Sequence, residues 1–109
     1  MTTVVVRTES GKIHSVECDG HTGYGEEGED IVCAALSSIV QTALLGLFGV
    51  AEVNVKVTRS DADGYLKMVL PSDMDEVQTD RAEVILRTML LGIRDLHEGY
   101  SDFIELEVK

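Results

Sequence analysis

Basic residues are few in this chain: nine Lys and Arg stand against 20 Asp and Glu, a formal net charge of −11. A phosphate-backbone binder needs clustered Lys and Arg, so direct nucleic-acid binding is not expected. The acidic surface suits plain solubility, and equally a basic partner. Cysteine is also scarce. Cys18 and Cys33 cannot make a disulfide framework, although their number leaves a single bridge open. Tryptophan is absent and aromatics reach only 5%, while the 44% hydrophobic and 27% charged content is ordinary for a globular chain. No internal period or low-complexity segment points to a fibre or to disorder.

Leader and anchor signals are missing too. The start, M-T-T-V-V-V-R-T-E-S, has no basic region, long apolar core or small-residue cleavage site. The longest apolar-rich run, Ile31 to Val50, is broken by Ser37, Ser38, Gln41, Thr42, Gly46 and Gly49 and begins among acids. It reads as a buried helix, not a membrane span. A cytoplasmic protein with free thiols and no membrane partner is expected. The length of 109 residues predicts a single domain over 1–109, large enough for a core without staples.

Val4, Val5 and Val6 read as a first strand, Glu9-Ser10-Gly11 as a turn, and Lys12 to Asp19 as the second strand of a hairpin. Residues 20–28, G-H-T-G-Y-G-E-E-G, hold four glycines in nine positions, which predicts a loop. From Asp30 to about Phe48 the residues are apolar on nearly all sides, predicting a helix buried over most of its circumference and stopped by Gly49. Val53, Val55 and Val57 alternate with polar residues as a half-buried strand. Ser60 to Gly64 is a turn, and Tyr65 to Leu70 returns as a strand. Pro71-Ser72 opens a second helix with Ser72 as N-cap, and Val77, Val84, Ile85, Leu91 and Leu96 mark its apolar face. Phe103 to Val108 is a last strand. The order β-β-α-β-β-α-β predicts an α+β fold, with a mixed or mainly antiparallel sheet of about five strands and two helices.

The chemistry gathers between Gly20 and Ser37. Asp30 as N-cap puts Ile31, Val32 and Cys33 in the first helical turn. Unpaired N–H groups and the positive end of the helix dipole then favour the thiolate of Cys33, the attacking form. An imidazole does more, and His21 stands twelve positions upstream, across a loop with a small closure entropy. A Cys33–His21 dyad is therefore geometrically allowed. Asp30 fits either a cap or a carboxylate orienting the imidazole. Ser37, four residues after Cys33, shares its helical face, where it steadies the site, meets substrate or bonds a preceding carbonyl. Cys18 reads as a packed thiol or as a redox partner of Cys33.

The segment G-H-T-G-Y-G-E-E-G-E-D-I-V-C-A-A-L-S resembles the ribosomal-processing cysteine protease family. Members carry a Gly-His pair, a glycine-containing loop, then Gly-x-Asp-Ile-Val-Cys-Ala-Ala-x-Ser. Gly20, His21, Gly28, Asp30, Cys33, Ala34, Ala35 and Ser37 all fall where the pattern wants them, and Thr22 departs from a common alanine. The resemblance covers the whole chain. It implies a cysteine endopeptidase with His21 and Cys33 catalytic and Gly20, Asp30 and Ser37 supporting. The implied substrate is the precursor of large-subunit ribosomal protein twenty-seven, which loses a short apolar N-terminal extension during ribosome maturation. Members are typically homodimers. On this reading Thr22, Gly23, Tyr24, Gly25 and Gly28 form a loop over the bound peptide, and no cofactor or metal is expected.

Two rivals remain. His14, Cys18, His21 and Cys33 are zinc-ligand types, set on an open strand and a glycine loop without a knuckle-like turn. A non-catalytic ribosome-assembly or peptide-binding module would use the apolar helix as core alone, and Cys33→Ala would leave it unaltered.

Overall fold

The computed structural model describes residues 1–20, 29–60 and 64–109, the side chains of residues 29 and 30 excepted. Its elements run β1 (Thr2–Glu9), β2 (Lys12–Asp19), α1 (Glu29–Gly49), β3 (Lys56–Ser60), β4 (Tyr65–Val69), α2 (Glu76–Gly99) and β5 (Ile104–Val108). The expected α+β order is the one found. The strands form one sheet in the order β3-β4-β2-β1-β5. β5 lies parallel to β1 and the other three pairings are antiparallel, so the sheet is mixed.

Ser10 and Gly11 both have positive φ, 55° and 80°, the backbone twist that a tight two-residue hairpin turn requires. β1 and β2 pair from Glu9↔Lys12 outward, with one irregularity between Arg7 and Thr8. That slip places Val4 opposite Cys18 and Thr3 opposite Asp19. The end of β2 therefore lies beside the start of β1. The candidate site is built on this juxtaposition.

Both helices contribute to a single core with one sheet face. Val4, Val6, Val16, Met68 and Ile104 meet Val32, Leu36, Val40 and Leu47 of α1 and Leu86, Leu90 and Ile93 of α2. The other face is polar: Glu17 sits between Val5 and Lys67 in the strand ladder and pairs with Arg7 at 3.6 Å. Pleat alternation separates the two faces.

Four expectations need correction. Although α1 is apolar and long enough to cross a membrane, only 28% of its Ile31–Gly49 stretch is buried. Its inward stripe follows i, i+4 spacing, while Ile31, Leu45 and Phe48 face outward. In α2 the expected face is largely the wrong one. Val77, Val84 and Leu91 are 55, 67 and 65% exposed, and the sheet covers Ala82, Leu86, Met89, Leu90 and Ile93 instead. Ile85 and Leu96 do pack against the core, from its margin.

The helix cap also moves. Asp75, not Ser72, caps α2, because its carboxylate accepts from the Gln78 N–H while the Gln78 side chain accepts from the Asp75 N–H. That reciprocal pair needs an acceptor side chain three residues after the cap, and Gln78 supplies it. Val53 and Val55 are buried but precede β3, which starts at Lys56 opposite Val69. β4 ends at Val69, so no ladder partner exists further back.

Candidate active site

Three chain segments converge at one end of the sheet: the first residue of β1, the residue following β2, and the first turns of α1. Thr2 is buried, with 5% of its surface exposed. Its hydroxyl donates to the Gly20 carbonyl at 2.7 Å, and the same Oγ1 lies 3.5 Å from Cys33 Sγ. One side chain thus touches both the thiol and the peptide unit that joins Gly20 to residue 21. Gly20 has φ of +107°, and a Cβ built there would meet the Met1 carbonyl oxygen at 2.4 Å. Only glycine fits this close approach of two backbones.

α1 already includes Glu29, so Asp30 is a helical residue and not the cap. Cys33 follows the helix start by about one turn. Its half-buried thiol opens on a cleft of about 290 Å³ shared with Thr2, Gly20 and Ser37. Leu36, Val40, Leu66 and Cys18 give this cleft an apolar lining, and Arg59, Tyr65 and Gln41 give it a polar margin. Such a mixture, apolar surface with a few placed polar groups, is typical of a ligand-binding cleft. Ser37 is exposed, and its hydroxyl accepts from Gln41 Nε2 at 2.6 Å, one turn further along α1. Ser37 and Gln41 therefore act as a pair on the cleft wall.

Cys18 lines the same cleft but differs chemically. Burial, aided by the adjacent Glu17 carboxylate, pushes its thiol up to about 12. It stays protonated at neutral pH, as a packed thiol should, and both cysteines are free. On the margin, the Tyr65 hydroxyl donates to Glu17 Oε2 at 2.5 Å. That bond chiefly lowers the Glu17 carboxyl and raises the Tyr65 phenol. Among the described residues no group of three or more metal-ligating side chains occurs. His14 lies away from the cleft, 3.7 Å from Glu9.

His21, Thr22, Gly23, Tyr24, Gly25 and Gly28, with the Asp30 side chain, lie outside the described residues. The structure brings Gly20, Cys33 and Ser37 to one cleft. Sequence reasoning missed Thr2, Gln41, Arg59 and Tyr65. For Thr2 a signal existed: counting the hairpin register outward from Ser10-Gly11 leads to the Gly20 neighbourhood. The others come from α1 and from the β3–β4 hairpin, whose placement beside β2 has no local signature.

A small α+β scaffold that presents a half-buried thiol near a helix start, over a partly apolar cleft, is an arrangement that suits thiol chemistry. Comparison with known proteins narrows it. The family described as cysteine protease Prp matches residues 1–105, and the chain belongs to that family. The ribosomal processing cysteine protease Prp of Staphylococcus aureus is 28% identical over 109 residues, covering 100% of this chain and 99% of the relative. The S. aureus Prp crystal structure in complex with a substrate peptide superposes with a TM-score of 0.88 at 29% identity, covering both chains fully. A second S. aureus Prp structure, with a covalently linked product peptide, gives 0.84 at 30% identity, again over the whole of both chains.

Proposed function

We propose that this chain is a cytoplasmic cysteine endopeptidase, a single domain over 1–109, with Cys33 as nucleophile and His21 as its base. Its substrate is the precursor of large-subunit ribosomal protein twenty-seven, from which it removes a short apolar N-terminal extension during ribosome maturation. The observation that carries the reading is the Thr2 bridge. It holds Gly20, the residue covalently joined to His21, against the helix that bears Cys33. The Gly20 carbonyl oxygen and the sulfur are joined through one atom, by legs of 2.7 and 3.5 Å. The reading assigns the His21 imidazole, one residue further on, as the base for that sulfur.

In this mechanism the Cys33 thiolate attacks the scissile carbonyl, and the carbonyl π electrons move onto oxygen. The α1 N–H groups that lack an intrahelical acceptor stabilise the oxyanion. Collapse forms a thioester and expels the amine, which takes its proton from the His21 imidazolium. Neutral His21 then removes a proton from water. The resulting attack releases the acid and restores the thiolate–imidazolium pair. With the helix starting ahead of it, Asp30 serves as the carboxylate that orients the imidazole. Gly20 shapes the turn into the base, Ser37 borders the substrate, and the loop of Thr22, Gly23, Tyr24, Gly25 and Gly28 covers the peptide. The apolar lining suits the apolar extension, and the −11 charge draws the basic mature part.

Incubation with a peptide spanning the extension junction tests the proposal. The native chain is expected to cut it and to form a thioester adduct visible by intact mass. His21→Ala should slow cleavage by roughly 10²–10⁴-fold. An uncut peptide, or His21→Ala cutting at the native rate, would sink the endopeptidase reading in favour of a module that only binds.

A homodimer is the second element. Val77, Val84 and Leu91 recur every seven residues on the outward face of α2, and Leu45 and Phe48 of α1 are also exposed. Exposed apolar side chains on the outer helix faces support an interface with a second copy. Sedimentation should give twice the chain mass for the native protein and a monomer for Leu91→Glu; a native monomer at micromolar concentration would refute it.

A further inference from the structure

Thr2 has one hydroxyl proton and two acceptors within reach. A carbonyl oxygen can only accept, so at 2.7 Å the Thr2 proton belongs to Gly20. Oγ1 then presents a lone pair to Cys33 Sγ at 3.5 Å, and the contact is satisfied when the neutral thiol donates its own proton. Once that proton leaves, the arrangement reverses. A thiolate has nothing to donate, and a hydroxyl lone pair facing it is repulsive. Rotation about the Thr2 Cβ–Oγ1 bond turns the proton from the Gly20 carbonyl to the sulfur and makes a charge-assisted bond.

We infer that Thr2 is a further residue of the active site, one whose single proton is handed from the Gly20 carbonyl to the Cys33 thiolate as the nucleophile forms. With the thiol neutral, Thr2 fastens Gly20 and the start of the glycine-rich segment. With the thiolate formed, it stabilises the charge and releases that carbonyl. The inference rests on Cys33 being the nucleophile, and it explains why a hydroxyl-bearing residue stands at the buried first position of β1. Valine would fill the same volume and suit the strand equally well.

The test needs no substrate. Iodoacetamide alkylation of Cys33 at neutral pH, followed on its own peptide by mass spectrometry, reads the thiolate directly, while Cys18, pushed up to about 12, stays unmodified. A hydrogen bond to a charged group is worth roughly tenfold to a hundredfold in an equilibrium, so Thr2→Val should alkylate slower by about tenfold or more. Thr2→Ser should recover most of the native rate. Thr2→Ala and Thr2→Ser differ by one oxygen and so compare the hydroxyl at equal loss of the methyl. On a cleavable peptide, Thr2→Val should lower kcat by a similar factor and leave KM unchanged. Equal alkylation of native and Thr2→Val, or of Thr2→Ser and Thr2→Ala, overturns the inference. A serine-rescued loss of alkylation upholds it even if no peptide is ever cut, so its fate and that of the endopeptidase reading separate.

Discussion

Cys33→Ala is expected to reduce cleavage of the junction peptide by at least about a thousandfold while leaving peptide capture intact. The fold should tolerate the change. Cys33 is half-buried, alanine is the best helix former, and the Thr2–Gly20 bond does not need the sulfur. What disappears is the nucleophile itself, and nothing else described in the cleft replaces it. Cys18 shares the lining, yet burial and the Glu17 charge keep its thiol protonated. Cys33→Ser should be as inert, because a hydroxyl is a far weaker nucleophile than a thiolate. Product formation by chromatography and peptide binding by fluorescence anisotropy separate the two halves of the prediction. Native-like turnover by Cys33→Ala would remove the nucleophile assignment outright.

Gly20→Ala should be nearly as damaging, for a steric reason. A Cβ at Gly20 would stand 2.4 Å from the Met1 carbonyl oxygen and 3.2 Å from the Thr2 Cα, both backbone atoms that no rotamer change can move. The φ of +107° adds strain for any side chain. We expect a stability loss of about 1–3 kcal/mol. Activity should fall by roughly a hundredfold or more, since Gly20 displaced by about 1 Å takes residue 21 with it. Gly11→Ala supplies the control. It shares a positive φ of 80°, but beyond its own chain neighbours no atom lies within 4 Å of its added Cβ. That variant should lose about 1 kcal/mol of stability and keep its turnover. Thermal unfolding and kcat/KM on the two proteins decide the matter, and equal turnover would show that Gly20 does not position the site.

The two helices teach different lessons about legibility. In α1 apolar residues fall on nearly all sides, which predicts burial all round, yet only one stripe is buried, Val32, Leu36, Val40, Ala43 and Leu47. In α2 two apolar stripes compete. Val77, Val84 and Leu91 carry a clean seven-residue spacing, but the sheet takes the stripe through Ala82, Leu86, Met89 and Ile93. Periodicity identifies a helix and its candidate faces. Which face turns inward depends on what stands opposite. Strand limits behave similarly: Val53 and Val55 alternate as a strand would, but without a partner beyond Val69 they form no ladder.

The candidate site divides along the same line. Gly20, Cys33 and Ser37 belong to a short segment whose residue types carry a signature, so they were legible. Gln41, Arg59 and Tyr65 enter the cleft from neighbouring elements and carry none. Thr2 was half-legible, through the hairpin register.

Local physics alone determines the order of strands and helices, the hairpin at Ser10-Gly11, the acidic charge and the Gly-His to Ala-Ala-x-Ser segment, because each depends only on near neighbours in the chain. Packing decided the rest: the helix faces, the cleft, the exposed apolar stripe and the contact of Thr2 with Cys33. Those depend on residues distant in the chain meeting in space, such as Thr2 with Gly20 and Cys33, 18 and 31 positions away. Only closure of the sheet under both helices brings such pairs together.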